Sequence, residues 1–332
     1  MVRFGSRLVL MMLLATGSAS ISNASEMSRS LESIDDAWWT GPLLASSPAT
    51  LPRGHILVEP YIYDAQLTGQ FDSSGRRQPS AGASTLGSQT YLLYGVTDSL
   101  TAGLITRSAH NRPDDGPSTS GVGVADVTAQ TSFRLSSFLD RGWMPALALV
   151  VGETMPTGKY DRLGSRASDG VGAGAYSTAI SIYSQYYLWM PNGRILRTRL
   201  DVTQSWSSRV AVADLSVYGT TEGFRGHAKP GNSWTIDSAW EYSATRHWVA
   251  ALDIVYVDNR STRVAGHYTQ QLNGNQMPAQ VDSGSSNSLS LAPAIEYNWS
   301  GTVGVIAGLK WTAAGHNTGD SVIPVVAVNL VF

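Results

Sequence analysis

The sequence has no cysteine among its 332 residues, and charged residues make up only 14% of it. The absence of cysteine excludes a disulfide framework, a thiol nucleophile and a thiolate metal site. Soluble globular proteins usually carry about 25% charged residues, so this composition is unusual for the cytosol. No apolar run of about 18 residues follows the first thirty positions, which excludes a bundle of membrane-spanning helices. A formal net charge of −2 gives no basic surface, so nucleic acid is not an expected partner.

The N-terminus has the layout of a secretory signal peptide. Arg3 and Arg7 precede an apolar stretch over residues 8–15, and small residues follow as far as Ala24. This apolar core is too short to span a membrane. We therefore expect residues 1–24 to direct export and to be removed. An exported chain with 10 Trp and 14 Tyr but no cysteine predicts the outer membrane of a Gram-negative bacterium.

Apolar residues alternate with polar or small residues from position 54 to the C-terminus. A strand that crosses an outer membrane needs about ten residues with lipid-facing and lumen-facing positions interleaved. The breaks between these segments alternate in length, as external loops and periplasmic turns do. The sequence therefore predicts an all-β fold, a transmembrane antiparallel β-barrel of outer-membrane type with about twelve strands. The predicted strands are 54–64, 88–97, 100–109, 122–135, 145–154, 175–189, 194–207, 233–246, 248–259, 287–299, 302–313 and 322–332.

The side-chain pattern distinguishes a membrane barrel from a soluble β-sandwich. In segment 248–259, Trp248, Leu252 and Tyr256 share one face, and Asp253 lies on the other. A soluble sandwich also alternates, but it turns its polar face to solvent and rarely places Trp and Tyr at both ends of its strands. The pattern therefore favours a barrel with apolar residues outside and polar residues inside.

Two segments outside this alternation carry further expectations. Residues 25–53 precede the barrel, and their apolar stretch contains Trp38 and Trp39. These tryptophans either form a small plug in the lumen or pack on the periplasmic rim, and the sequence leaves both open. The last strand ends at Phe332, which is similar to the C-terminal signal read by the barrel-assembly machinery. We therefore expect that machinery, outer-membrane lipid and lipopolysaccharide as partners.

Short patterns along the chain resemble a known family. They are Trp39-Thr40-Gly41-Pro42 with the strand that starts at Gly54, the turn at 94–100, the segment 123–127, and Pro145–Leu149 leading to Met155–Gly158. These patterns are similar to those of the "MetA-pathway of phenol degradation" family of outer-membrane transporters. The resemblance implies passage of small, aromatic or apolar solutes. It brings no catalytic residues to carry over.

The predicted inner face carries charges of both signs and several tyrosines. A barrel of twelve strands is narrow, so opposed charges on adjacent strands could constrict it. The same charges could instead pair with one another in a closed lumen. The lumen and constriction candidates are Glu59, Arg134, Arg197, Arg199, Asp201, Asp237, Glu241, Asp253, Glu296 and Lys310. Tyr61, Tyr63, Tyr91, Tyr183 and Tyr187 could stack against an aromatic solute or simply fill the interior.

These features predict a passive channel for small solutes that uses no cofactor and no metal. The alternative is a plugged barrel that acts as a structural or adhesion protein through its extracellular loops, 208–232 and 260–286. An outer-membrane lipase is the least favoured function, because it needs a Ser–His pair on the lipid-facing wall. His247 is the nearest candidate for that role, and it falls in a predicted periplasmic turn. We therefore do not expect an enzyme.

Overall fold

The computed structural model describes residues 31–138, 143–269 and 276–332. Twelve long antiparallel strands follow one another around a single sheet, and the last pairs with the first. The sheet is therefore a closed barrel, which confirms the predicted fold class. The barrel strands are β1 (Ile56–Phe71), β3 (Ala83–Thr97), β4 (Leu100–Pro113), β6 (Val127–Ser136), β7 (Ala146–Met155), β8 (Ser177–Trp189), β9 (Ile195–Ser207), β12 (Ser233–Ser243), β13 (Trp248–Asn259), β16 (Ser286–Asn298), β17 (Val303–His316) and β18 (Thr318–Val331).

The predicted signal peptide, residues 1–24, lies outside the described residues. Within the described part of the chain, no helix is long and apolar enough to cross a membrane. Its helical elements include two single 3₁₀ turns, Ile34–Asp36 and Ala167–Asp169.

Burial along the strands is inverted relative to a soluble protein. In β13, Trp248 is 49% exposed, whereas its neighbour Val249 and the acidic Asp253 are buried. In β12, Ile236 is exposed on the outside and Glu241 is completely buried inside. Because side chains alternate between the two faces of a strand, one sequence pattern produces both the apolar outer wall and the polar inner wall.

The two ends of the barrel differ, and we call them the short-turn end and the long-loop end. At the short-turn end, β3 and β4 are joined by two residues and β12 and β13 by four. The long-loop end carries the connections over 156–176, 208–232 and 260–285. Asn317 is an exception there, because it turns β17 directly into β18 with a φ of 48°. The predicted break over 314–321 is therefore wrong, since both strands continue to this turn.

A second sheet stands at the long-loop end, where the sequence analysis expected loops over 208–232 and 260–286. Its strands pair in the same order as the barrel strands β9, β12, β13 and β16, from which each of them continues. These segments form strands because their apolar residues alternate with polar ones, and Val212, Phe224 and Val264 form one buried cluster. We call this the upper sheet. Its strands are β10 (Val210–Ala213), β11 (Phe224–Lys229), β14 (Arg263–Thr269) and β15 (Gln276–Asp282).

The connection over 156–176 packs between the upper sheet and the barrel wall. Asp126 directly precedes β6, and the alternation of that strand places its side chain on the lumen side. Its carboxylate accepts hydrogen bonds from the backbone amides of Gly158 at 2.8 Å and Ala173 at 2.7 Å. Tyr160 of this connection packs against the apolar cluster of the upper sheet. The Arg162 amide donates to the Ala213 carbonyl at 3.1 Å, so the connection also runs along the free edge of β10. Two further short strands at this end are β2 (Arg77–Gln78) and β5 (Gly123–Val124).

The upper sheet should unfold without the barrel when its cluster is weakened. Phe224 is 1% exposed, so Phe224→Ala leaves a cavity that costs about 3–5 kcal/mol. We expect trypsin to cut at Arg209 or Arg225 faster than in the natural chain, while the barrel keeps its heat-modifiable gel mobility.

Val281→Ala is the matched control, because Val281 is 60% exposed in the same sheet. Unchanged trypsin cleavage in Phe224→Ala would show that the cluster does not hold the upper sheet together.

Candidate functional site

The chain passes through the barrel lumen before it enters β1. We call residues 37–53 the lumen segment. The segment begins at the short-turn end, where the Trp38 amide donates to the Arg246 carbonyl at 3.3 Å. It returns to the same end, where the Arg53 amide donates to the Asp98 side chain at 3.0 Å. Between these points it reaches Asp253 in the middle of β13, so it forms a loop that rises into the lumen and descends again.

An anchor precedes the lumen segment at the short-turn end. The Glu32 carboxylate pairs with Arg194 Nη1 at 2.8 Å and accepts from the Ser243 hydroxyl at 2.6 Å. Its backbone carbonyl accepts from Trp189 Nε1 at 2.8 Å. This junction joins the segment to three barrel strands, so its entry point is fixed.

The top of the lumen segment is bound by one carboxylate. Asp253 accepts hydrogen bonds from the backbone amides of Leu43 at 3.0 Å, Leu44 at 3.2 Å and Ala45 at 2.9 Å. Hydrogen bonds to a charged acceptor are stronger than those between neutral groups. Asp253 is therefore the main polar attachment of this turn of chain.

Two further wall carboxylates bind the segment in the same way. Glu296 accepts from the Thr40 amide at 2.7 Å, and Asp201 accepts from the Ser46 amide at 2.7 Å. Arg199 completes the set, because its guanidinium donates to the Ala45 carbonyl at 2.8 Å. The wall therefore holds the segment by its backbone, independently of most of its side chains.

The predicted arginine and glutamate pairs form a compact group on one wall. Glu241 lies directly across the strand ladder from Arg197 and receives two hydrogen bonds from it, one of them 2.7 Å from Nε. Arg199 Nε lies 3.5 Å from the same carboxylate. The Arg197 guanidinium also stacks on the Trp39 ring, 4.3 Å from its centroid. These charges therefore neutralise one another beneath the segment and do not face each other across an open bore.

Apolar packing and small residues complete the fit of the segment. Leu43 is 1% exposed and packs against Ile306 and Ala292 of the inner wall. A Cβ at Gly95 would lie 2.7 Å from the Leu51 carbonyl oxygen, so only glycine leaves room for the descending chain at that place. The inner wall is therefore shaped to the segment as well as bonded to it.

A cavity of about 250 Å³ remains between the lumen segment and the opposite wall. Tyr61 and Tyr91 meet edge to face in its lining, with ring centroids 5.8 Å apart. Tyr183, Glu59 and Trp39 also line it. The cavity is slightly smaller than the roughly 300 Å³ at the lower end of sites for drug-sized ligands. Its lining combines the rings of Tyr61, Tyr91 and Tyr183 with the carboxyl group of Glu59.

The remaining candidate residues lie apart from this cavity. Tyr63 and Tyr187 have the inward parity of their strands but do not line the cavity, and Arg134 lies near the short-turn end of β6. Asp237 and Lys310 have inward parity in β12 and β17, and one Asp237 oxygen is buried with no hydrogen-bond partner in the described chain.

At the rim, Trp38 packs against Arg246 and His247. His247 lies in the turn between β12 and β13, with Nδ1 2.7 Å from the Asn298 carbonyl oxygen. Across residues 31–138, 143–269 and 276–332, no three His, Asp or Glu side chains are grouped to hold a metal ion.

Sequence reasoning missed the part of the segment that occupies the lumen most deeply. It singled out Trp38 and Trp39, whereas the bound turn is Leu43–Ser46. Two features of the sequence could have pointed to this turn. One is the apolar run that continues past Trp39 to Ala45, and the other is the excess of acidic over basic residues on the predicted inner face. Buried carboxylates need donors, and backbone amides of an adjacent segment can supply them.

No family model and no curated protein matches the chain. Among solved structures, it is similar to the COG4313 outer membrane channel from Pseudomonas putida F1, with 14% identity, a TM-score of 0.64, and coverage of 87% of this chain and 100% of that one. It also matches the beta domain of the Bordetella autotransporter Brka, with 9% identity, a TM-score of 0.44, and coverage of 84% and 100%. The first likeness shows the fold alone, that of an outer-membrane barrel. The resemblance to the MetA-pathway family stays a prediction.

The role of Asp253 can be tested on the amides that it binds. Asp253→Asn keeps the shape of the side chain but removes the charge that attracts Leu43, Leu44 and Ala45. Because a hydrogen bond to a charged group contributes roughly 1.5–3 kcal/mol, hydrogen exchange of these amides should accelerate about tenfold or more.

Asp258→Asn is the control, because Asp258 lies on the other face of β13 beside Arg260. Equal exchange rates in the natural chain and in Asp253→Asn would show that the carboxylate does not hold the segment.

Proposed function

We propose that this protein is an outer-membrane channel for passive movement of small solutes, aromatic or apolar solutes among them, and that the lumen segment is its plug. The observation that carries the proposal is how the segment is held. Backbone amides between Thr40 and Ser46 donate hydrogen bonds to Asp253, Asp201 and Glu296. Water can replace such bonds at modest net cost, whereas it cannot replace a large apolar core.

The tethering of the segment allows it to move without leaving the barrel. Both of its ends are fixed at the short-turn end, by Glu32 before it and by Asp98 after it. Release of the turn at Leu43–Ser46 would widen the path along the cavity, and rebinding would close it. No energy-coupling cofactor is needed, because solute would move down its own gradient.

The topology supports a definite orientation in the outer membrane. Barrels of this type place short turns and both chain termini in the periplasm and long loops outside. The short-turn end would therefore be periplasmic, and the upper sheet would be extracellular. Phe332 ends the last strand at the periplasmic side, where the barrel-assembly machinery would read it.

Single-channel recording of the refolded mature protein in planar bilayers tests the channel. We expect brief, rare openings in the natural chain and a several-fold higher open fraction in Asp253→Asn, because the plug is then held less tightly. Asp258→Asn should behave like the natural chain.

Silent, correctly folded barrels in both the natural chain and Asp253→Asn would contradict the channel. They would favour the second candidate, a plugged barrel that acts through its extracellular surface, for which the filled lumen and the folded upper sheet are the supporting observations.

The tyrosines of the cavity are the proposed contact for aromatic solutes. Benzyl alcohol should block the open-channel current at lower concentration than glycerol does, since aromatic rings prefer edge-to-face and offset contacts with other rings. Tyr61→Leu/Tyr91→Leu should weaken this block several-fold. Tyr63→Leu is the control, because Tyr63 has inward parity on the same strand as Tyr61 but does not line the cavity. Equal block in all three proteins would refute a role of the cavity in solute choice.

A further inference from the structure

The cavity beside the lumen segment places one carboxylate among tyrosine rings. Glu59 of β1 lies directly across the ladder from Tyr91 of β3, and Tyr61 follows Glu59 on the same face of β1. The rings of Tyr61 and Tyr91 meet edge to face, and Tyr183 lines the same cavity from β8. The face of an aromatic ring attracts cations through its quadrupole, and a carboxylate beside it adds an opposite charge. This arrangement is therefore suited to a positively charged group.

Glu59 receives little support from the chain itself. Its carboxylate accepts a hydrogen bond from Asn329 Nδ2 at 3.4 Å, which is longer than the usual range for an N–H···O bond. Among the described residues, no Lys, Arg or His nitrogen lies within 4 Å of it. Glu59 is half-buried and has the inward parity of β1, so its accessible part lies in the lumen. A carboxylate in such a place is costly without a cation, and a cationic solute would supply that partner.

The cationic side chains around this cavity already have partners. Arg197 and Arg199 line it, and both lie against the Glu241 carboxylate. Arg107 of β4 also has inward parity, but it donates to Gln89 at 2.7 Å and does not line the cavity. On β1, β9, β12, β13, β16 and β17, the inward acids are Glu59, Asp201, Asp237, Glu241, Asp253 and Glu296, and the inward Lys and Arg residues are Arg197, Arg199 and Lys310. This part of the lumen therefore has an excess of acidic groups, which favours a cation over an anion.

The volume of the cavity limits the size of the solute. A cavity of roughly 150 Å³ can hold benzene in a protein interior. The volume of about 250 Å³ therefore has room for one aromatic ring with a short aminoalkyl chain. Trp39 and Leu44 of the lumen segment add apolar lining beside the tyrosines. An amine that carries one aromatic ring would thus match both the charged and the apolar parts of the lining.

We propose that this cavity binds small primary amines that carry one aromatic ring, with the ammonium group at Glu59 and the ring among the tyrosines. The ammonium group donates to the Glu59 carboxylate and faces a neighbouring tyrosine ring. The aromatic ring of the solute packs against Tyr61, Tyr91 and Tyr183 in edge-to-face or offset contacts. As a class of transported solute this rests on the proposed channel, because the amine would pass through the lumen that the segment closes. Binding itself needs only the folded barrel.

Isothermal titration calorimetry of the purified protein in detergent at neutral pH tests the site. Benzylamine is positively charged under these conditions, benzyl alcohol is neutral and benzoate is negatively charged, while the three molecules have similar size. We expect benzylamine to bind about tenfold or more tightly than benzyl alcohol, and benzoate to bind more weakly than either. The titrations are repeated in Asp253→Asn, which holds the lumen segment less tightly and so gives the ligands easier access.

Two substitutions locate the charge that is responsible. Glu59→Gln keeps the shape of the side chain and removes its charge, so benzylamine should lose its advantage over benzyl alcohol. Asp237→Asn is the matched control, because it removes an inward charge that does not line the cavity. The ratio of the two affinities in this control should equal that of the natural chain. Retained heat-modifiable mobility verifies that each variant is folded.

Three results would overturn the proposal. Equal affinities for benzylamine and benzyl alcohol in both the natural chain and Asp253→Asn would show that the cavity does not prefer a cation. A preference that survives in Glu59→Gln would place the amine elsewhere. An equal loss of preference in Glu59→Gln and Asp237→Asn would mean that only the total charge of the lumen matters. None of these results depends on conduction, so each leaves the channel itself untouched, and silent barrels in planar bilayers would leave the affinity ratio unchanged.

Discussion

The structure depends on inward carboxylates that accept hydrogen bonds from the backbone of the protein's own N-terminal segment. Asp253, Asp201 and Glu296 lie on a buried wall, where an unpaired charge would be costly. Amides of residues 40–46 supply their donors, while Arg197 and Arg199 neutralise Glu241 beside them. The lumen segment and the wall are therefore complementary, although one oxygen each of Asp201 and Glu296 has no hydrogen-bond partner among the described residues.

The barrel could be predicted from the sequence because it follows from a local rule. Alternation with a period of two determines which residues face lipid, and Trp248 and Asp253 show it within one strand. Strand ends were less predictable. The turn at Asn317 depends on one residue that tolerates a positive φ, and the upper sheet depends on apolar pairs between segments far apart in the chain, such as Phe224 and Tyr268. Neither the turn nor the upper sheet produces a long periodic pattern in the sequence.

The sequence predicts which charged residues line the candidate site, but it does not predict what they bind. The inward charges of β9, β12, β13 and β16 follow from strand parity, which is local. Their partners do not, because Leu43 and Asp253 are 210 residues apart and meet through a backbone amide that every residue carries. A hydrogen bond from a backbone amide does not restrict the residue type at the donor position. The sequence therefore predicted a polar lumen and left open what fills it.

The central claim is that the position of the lumen segment decides whether the barrel conducts. Because the chain has no cysteine, Leu43→Cys/Gly308→Cys introduces the only thiols, at a place where a Cβ on Gly308 would lie 3.0 Å from the Leu43 side chain. A disulfide there fastens the segment to β17. The account predicts silent channels under oxidising conditions and openings that return when dithiothreitol is added to the same bilayer. Conductance that is equal before and after reduction of a verified disulfide would contradict it.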